Sequence, residues 1–397
     1  MSKLTLHDLH LKNQRVLMRV DFNVPLHKDG SISDDTRIQA ALASIEYVLN
    51  HGASLLLISH LGRPKATPDP KYSLAPCAKR LAELLGKPVP LAPDCIGPKV
   101  EKMAHLLKPG ELLMLENARF HPGEEEPETD PDFVKQLAKL GTIYVNDAFG
   151  TAHRAHASTA LLAKYFPQKA AVGFLMEQEL KYLTPLIENP KRPFCVIIGG
   201  AKVSTKAGII QNLLKIADLL FIGGGMVFPF MKAKGISVGS SLLEAEDVKT
   251  AKHILSLSQS SKIILPRDLV IAHGFSNDAP FKIQSIDLAI PEGWMGMDIG
   301  PQTVLDWAEK LKSARSIFWN GPVGVFEMPH FAAGTKALAA SLAEASGETI
   351  IGGGDSIAAI RQMGLSERFT HLSTGGGASL EFLEFGHLPG VDALSNR

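Results

Sequence analysis

Arg37, Arg63, Arg119 and Arg154 stand at or just beyond the ends of strand-like apolar runs in the first half of the chain, with Asn23, His60, His153 and His156 beside them. A guanidinium group matches carboxylate and phosphate oxygens bidentately, so four of them at equivalent positions call for a small ligand of dense negative charge, such as a phosphorylated carboxylate. Any one of them alone would read as a surface ion pair of little worth. His153-x-x-His156 lacks a third ligand at metal-binding spacing, so a metal centre is a weak reading there. Glu124-Glu125-Glu126 reads as a solvated acidic loop.

The second half carries glycine where the first carries arginine. Gly199-Gly200, Gly223-Gly224-Gly225, Gly321-Pro322-Val323-Gly324, Gly352-Gly353-Gly354 and Gly375-Gly376-Gly377 each follow an apolar run. A strand, a glycine turn and a helix start place unpaired N–H groups and the positive end of a helix dipole at one point, which suits phosphate oxygens. Asp355, next to Gly353, Gly354 and Ser356, is placed either to cap such a helix or to hold Mg2+ on a polyphosphate. Lys202 and Lys206 follow Gly199-Gly200 four residues apart, a spacing that predicts one helical face with an anion between the two cations. Neither Gly-x-x-x-x-Gly-Lys-[Ser/Thr] nor a Gly-x-Gly-x-x-Gly after a strand occurs, which argues against P-loop and dinucleotide-binding folds.

These residues need strands to present them. Apolar runs at 16–20, 55–59, 88–91, 112–115 and 143–145 predict strands in the first half, with helices at 36–49, 74–85 and 132–140 between them. In the second half the strands fall at 195–198, 219–222, 263–265, 316–319, 349–351 and 371–373, and the helices at 206–215, 246–256, 301–313 and 335–345. Each half therefore reads as a doubly wound, three-layer α/β domain with a mainly parallel sheet and its ligand at the C-terminal strand ends. Met176, Leu180, Leu183 and Ile187 keep helical spacing before Asn189-Pro190, which predicts an interdomain helix. The expected organisation is a first domain at 1–172, a connector at 173–190, a second domain at 191–378 and a returning segment at 379–397.

Composition bounds the function. The 397 residues exceed the size of one growing core. Lys plus Arg equals Asp plus Glu at 41 each, so no global field draws in nucleic acid or an anionic membrane. No run approaches the ~18 apolar residues of a membrane span, and no export signal is evident, which predicts a cytoplasmic protein. Cys77, Cys95 and Cys195 are widely spaced and read as buried thiols in a reducing compartment.

Arg19-Val20-Asp21-Phe22-Asn23-Val24-Pro25, Asp34-Asp35-Thr36-Arg37-Ile38 and Ser59-His60-Leu61-Gly62-Arg63-Pro64 resemble the signature segments of the phosphoglycerate kinases. The resemblance continues in order through Glu116-Asn117-Ala118-Arg119-Phe120, the stretch 146–156, the stretch 199–206, the stretch 319–327, Gly352-Gly353-Gly354-Asp355-Ser356 and the stretch 373–381. It spans essentially the whole chain. It implies reversible phosphoryl transfer between 1,3-bisphosphoglycerate and ADP, giving 3-phosphoglycerate and ATP, with Mg2+, in a monomer whose partners are small molecules and neither nucleic acid nor membrane. Carried over residue by residue, Asp21, Phe22, Asn23, Arg37, His60, Leu61, Gly62, Arg63, Arg119 and Arg154 bind the glycerate ligand. Lys202, Lys206, Asn320, Glu327, Gly353, Gly354, Asp355 and Ser356 bind the nucleotide, Asp355 holds the metal, and Arg37, Lys202 and Lys206 act on the group in flight. The connector helix and the segment after Gly377 then serve as hinges for closure. Ser356 replaces a more usual Thr and keeps its hydroxyl, whereas Phe385-Gly386-His387 departs from a Gly-Lys-rich pattern. A non-catalytic two-domain phospho-ligand binder is the alternative, and it leaves Lys202, Lys206, Arg37 and Asp355 without a purpose.

Overall fold

Leucine and β-branched runs too apolar to face water on either side form the first sheet. β1 (Arg15–Arg19), β2 (Ser54–Ile58), β3 (Leu112–Met114), β4 (Ile143–Asn146) and β5 (Ala170–Val172) are all parallel, in the order β3-β2-β1-β4-β5. Val16 pairs with Leu55 on one side and Ile143 on the other. The helices are α1 (Thr36–Asn50), α2 (Ala75–Leu85), α3 (Pro98–Leu106), α4 (Pro122–Glu125), α5 (Pro131–Ala138) and α6 (Phe174–Glu188). α1 buries Ile38, Ala41, Ile45, Val48 and Leu49 along one face, with Leu42 half-buried beside them. Strand order reverses at β1, which opens a crevice at the C-terminal ends of β1 and β4. This computed structural model describes residues 3–397.

The second sheet repeats the plan. β6 (Phe194–Ile198), β7 (Leu219–Ile222), β8 (Ile263–Ile264), β9 (Asp268–Ala272), β10 (Phe281–Ser285), β11 (Met295–Ile299), β12 (Ser316–Asn320), β13 (Glu348–Gly352) and β14 (His371–Leu372) follow in sequence. Six of them form a parallel sheet, β14-β13-β12-β6-β7-β8, whose order reverses between β12 and β6. Its helices are α7 (Ala207–Ile216), α8 (Val227–Ala233), α9 (Ala245–Ser256), α10 (Pro301–Leu311), α11 (Ala333–Ala343), α12 (Gly354–Gln362) and α13 (Gly377–Phe385). Trp307, Trp319, Phe221 and Ile351 lie in its core.

The chain separates into two compact units, one of residues through Lys181 together with His387–Arg397, the other Tyr182–Gly386. Gly386 ends α13 in the left-handed conformation, its N–H bonding the Phe382 carbonyl, so the turn at Phe385-Gly386-His387 is a glycine C-cap. A last short helix, α14 (Pro389–Asp392), belongs to the first unit. There the Lys3 ammonium donates to the carbonyls of Asp392 and Leu394, and Asn146 Nδ2 donates to the Gly390 carbonyl.

Three readings of the sequence differ from the structure. Residues 88–91 form no strand; Pro88 and Pro90 lack N–H groups, and only an isolated bridge from Leu91 to Met114 remains. The three-stranded antiparallel sheet β10-β9-β11 was not legible, because β10 is exposed along most of its length and shows no core-facing pattern. β5, only three residues of Ala and Val, gave too short a signal.

Candidate functional site

In the first unit the turns after the strands bring the polar residues of the sequence together. The Arg37 guanidinium is paired with the Asp21 carboxylate. Asn23 Oδ1 accepts the Gly62 N–H at 2.8 Å, and the Gly62 carbonyl accepts Arg119 Nη1 at 2.9 Å. Arg119 is further held by Glu125 at 3.1 Å, while its Nε–H is buried with no acceptor. Gly62 has a φ of +63°, and a Cβ there would meet the Tyr72 ring at 2.5 Å. Arg63 and Arg154 are exposed, and Arg154 Nε lies 3.0 Å from His153 Nε2. Phe22 and Leu61 are core residues whose main chain is already engaged, Phe22 N–H with Ser59 and the Leu61 carbonyl with Asn117. They are scaffold for the turns.

The cations act on two histidines. His60 is buried and held well below its usual range, first by desolvation and then by Arg19, Arg119 and Arg37. His156 is lowered to about 4 by burial and then by Arg119, Arg19 and Arg154. Both rings are therefore neutral at neutral pH, held so first by burial and then by the surrounding guanidinium groups.

Sequence reasoning missed what lies beneath. Arg19, the last residue of β1, is 1% exposed. Its Nε donates to Ser158 Oγ at 2.8 Å and its Nη2 lies 3.0 Å from His60 Nδ1. Ser158 in turn gives its hydroxyl proton to Glu124 Oε1 at 2.6 Å and its N–H to Glu124 Oε2 at 3.0 Å. The acidic run is thus not a solvated loop: Glu124 is fully buried in α4 and Glu125 holds Arg119. Burial raises the Glu124 carboxyl, against the pull of Arg19 and the two Ser158 bonds. Charge-run logic could not find this, because it weighs three glutamates alike, whereas one turn of helix points them in different directions.

In the second unit the glycine turns divide into two kinds. A Cβ on Gly199 would lie 2.1 Å from the Pro322 carbonyl oxygen, and one on Gly321 would lie 2.3 Å from that of Gly199. The N–H groups of Gly199, Gly223 and Gly224 bond to Asn320, Ile198 and Val323 carbonyls. These turns serve one another by close main-chain packing and offer little to phosphate. Gly354, Gly376 and Gly377 are different: a Cβ on any of them would meet nothing within 4 Å. They stand at the N-termini of α12 and α13, where the first N–H groups lack helical partners.

Beside α12 lies a cavity of about 790 Å3, walled by apolar residues such as Leu242, Phe275, Met295 and Val323, with Glu327 and Asp355 also on its lining. Such a wall suits a flat aromatic base with few polar contacts. Lys206 reaches the Gly199 carbonyl at 2.8 Å and Asn320 Oδ1 at 3.4 Å, and desolvation lowers it to about 8 against the pull of Asp355. Asn320 Nδ2 is buried without an acceptor. Lys202 is paired with Glu244 at 2.5 Å. The two lysines do not share a helical face, because a tight turn at Ser204–Lys206 precedes α7 and Lys206 is its N-cap. Ser356 is buried and its hydroxyl oxygen accepts the Gly321 N–H at 2.8 Å. Asp298, also on the cavity wall, accepts N–H bonds from Gly334 and Ile299, and burial raises it to about 7.

Asp355 does not cap α12. The N-cap is Gly353 and no side-chain cap bond forms, so the Asp355 carboxylate stands exposed at the helix start beside the cavity. One free carboxylate next to unpaired helix N–H groups fits Mg2+, which takes one or two carboxylates and completes its shell with phosphate oxygens and water.

Two doubly wound units, one lined with guanidinium groups and the other with glycine-headed helices beside an apolar cavity, define a protein that handles phosphorylated small molecules. The phosphoglycerate kinase family model matches residues 6–386. A phosphoglycerate kinase of Moorella thermoacetica is 53% identical over 399 residues, covering 100% of both chains. Phosphoglycerate kinase 3, cytosolic, of Arabidopsis thaliana is 52% identical, over 98% of this chain and 97% of that one. Among solved structures, phosphoglycerate kinase of Coxiella burnetii superposes with a TM-score of 0.88 at 39% identity, covering 98% of each chain. The chain belongs to the phosphoglycerate kinase family. Among the described residues no helix is long and apolar enough to cross a membrane.

Proposed function

We propose that the phosphoglycerate kinase reaction of this chain, reversible transfer of a phosphoryl group between 1,3-bisphosphoglycerate and ADP to give 3-phosphoglycerate and ATP, is carried by two half-sites of opposite construction. The glycerate ligand binds the first unit through Asp21, Asn23, Arg37, His60, Arg63, Arg119 and Arg154, on the main-chain scaffold of Phe22, Leu61 and Gly62. The nucleotide binds the second, its base against the apolar cavity, its ribose toward Glu327 and its phosphates at Gly353, Gly354 and the α12 N-terminus, near Lys202, Lys206, Asn320 and Ser356. The observation that carries this reading is the set of arginines held around a buried neutral His60, with the Arg119 Nε–H awaiting an acceptor.

In the ATP-consuming direction the nucleophile is the glycerate carboxylate, ionised at neutral pH, so no general base is needed. Its oxygen bonds to the γ-phosphorus as the bond to the ADP oxygen breaks. The reaction requires in-line placement and neutralisation of the charge spread over the moving oxygens. Arg37 supplies a guanidinium from the glycerate side. Lys206 is cationic below about 8, and a bound phosphate raises it further. Lys202 leaves an exposed pair with Glu244, a contact of low cost to break. Asp355 would hold Mg2+, which when bound would supply positive charge against that of the phosphate oxygens. Transfer needs the two ligands in contact and water excluded, so the units close during turnover, with α6 and the segment after Gly377 as hinges.

We further propose a monomer acting in the cytoplasm; relatives in Arabidopsis thaliana and Triticum aestivum carry the word cytosolic in their names. The test mixes the chain with Mg-ATP and 3-phosphoglycerate and follows ADP formation. Binding of both ligands without turnover would make the chain a phospho-ligand binder instead. Small-angle scattering that finds no compaction with both ligands present would remove the closure step.

A further inference from the structure

Behind His60 runs a chain of hydrogen bonds that point one way. Arg19 has donors and no acceptor, so the contact from its Nη2 at 3.0 Å requires His60 Nδ1 to accept. A neutral imidazole with a bare Nδ1 carries its proton on Nε2. Arg19 is fixed by a second bond, Nε to Ser158 Oγ, and by one from Nη1 to the Val20 carbonyl. The Ser158 hydroxyl proton is committed to Glu124, which leaves its oxygen free to receive Arg19. Tyr144, fully buried, donates to the Ser158 carbonyl at 2.6 Å and holds that segment from the other side. Every member of Glu124, Ser158, Arg19 and His60 is at most 3% exposed, so water cannot substitute for a missing partner.

We infer that Arg19, oriented by Ser158 and Glu124, is a positioning residue that locks His60 in the Nε2–H tautomer and so makes it a hydrogen-bond donor toward the glycerate ligand. Without that lock the ring could equally present a bare Nε2, which would repel phosphate or carboxylate oxygens. Glu124 also balances charge, since a guanidinium buried this deeply needs a counter-ion, and the serine bridge delivers it without letting the carboxylate compete for His60. The lowered affinity of His60 for a second proton agrees with its place beside Arg19. The inference rests on the assignment of His60 to the glycerate site.

The experiment is nitrogen NMR of the 15N-histidine-labelled whole chain at neutral pH, with the His60 signals assigned by their loss in His60→Gln. A protonated Nε2 and a bare Nδ1 are expected, and the opposite tautomer overturns the inference whatever the variants do. In Arg19→Met/Glu124→Gln, which removes both buried charges together, the proton should spread over both nitrogens. The KM for 3-phosphoglycerate should then rise about tenfold, with the KM for ATP unchanged. Ser158→Ala, which keeps both charges, should give a smaller shift of the same kind, and Arg19→Lys should partly restore the tautomer. An unchanged tautomer and KM in a folded variant would overturn the inference. If instead His60→Gln leaves the KM for 3-phosphoglycerate unaltered while the tautomer is as expected, it is the glycerate-site assignment that falls.

Discussion

The two units share a parallel doubly wound plan and present donors for an anion in contrary ways. The first fixes side chains: Arg37 on Asp21, Arg119 on Gly62 and Glu125, and Arg19 on Ser158, each tied before any ligand arrives. The second fixes main chain, bringing turns so close that no Cβ fits between Gly199 and Gly321, and leaving two glycine-headed helix ends clear. Position at a strand end selects a site, whereas its chemistry depends on whether side chain or backbone is presented. A carboxylate and a phosphate on one short skeleton would suit a fork of guanidinium groups, and a chain of phosphates would suit a row of N–H groups.

Side-chain construction should fail hardest when a side chain is lost. Arg37→Ala or Arg119→Ala should lower kcat/KM for 3-phosphoglycerate by about 10²–10³ with the fold intact, and Arg119→Lys should not restore it, since an ammonium cannot serve Gly62, Glu125 and a ligand at once. Steady-state kinetics with circular dichroism as the control decides this. Retained activity would end the contrast.

Main-chain construction should fail by crowding. Gly321→Ala forces a Cβ to within 2.3 Å of the Gly199 carbonyl at a φ of +91°. A loss of about 1–3 kcal/mol in urea unfolding is expected, together with weaker ADP binding.

The pH response comes next in size. Lys206, whose folded-state value is lowered to about 8, is charged below that pH and neutral above it. Nucleotide affinity should therefore fall as pH rises through about 8, by up to about tenfold per unit, and calorimetry should detect proton uptake on binding. Because the folded value lies below the unfolded one, the same group makes folding less costly as pH rises from about 8 toward the ordinary lysine range. Lys206→Met should flatten both dependences.

The smallest effect on stability belongs to Gly354→Ala. Nothing lies within 4 Å of the added Cβ, so stability should change by no more than about 0.5–1 kcal/mol, in the favourable direction for a helix. Its ADP affinity should nonetheless drop if phosphate approaches that backbone. Unaltered affinity would move the phosphate site to the other clear helix end, at Gly376 and Gly377.

Much of this was legible in the chain. The apolar runs that became β1, β2, β6, β7 and β12 stood out because strands buried on both faces must be continuously hydrophobic. The residues just past them, Asp21, Asn23, His60 and Gly199, could be placed because the strand ends fix where the turns lie. Arg19 stands in the same motif, but its role is not legible there, since a charged residue at a strand end shows its worth only when Ser158 and Glu124, 139 and 105 positions away, are brought beneath it. The apolar cavity is hidden for a similar reason: Leu242, Phe275 and Met295 are far apart in sequence, and part of its lining, Leu269, Met295 and Met297 among it, belongs to the antiparallel sheet. Local spacing reports a helix or a strand, and carries no record of which distant surface will face it.

The tie between Lys3 and residues 392–396 has a consequence for synthesis. Unit one is interrupted: the whole of Tyr182–Gly386 leaves the ribosome before His387–Arg397 can return to Leu4, Ala170 and Asn146. The nascent first unit must wait, unsealed at β5, while a later-made unit is able to finish first. Joining the two ends by a short peptide and cutting the chain at the exposed turn near Gly274 would reverse that order of completion, and a permuted protein of this kind should reach the same native state along a different route.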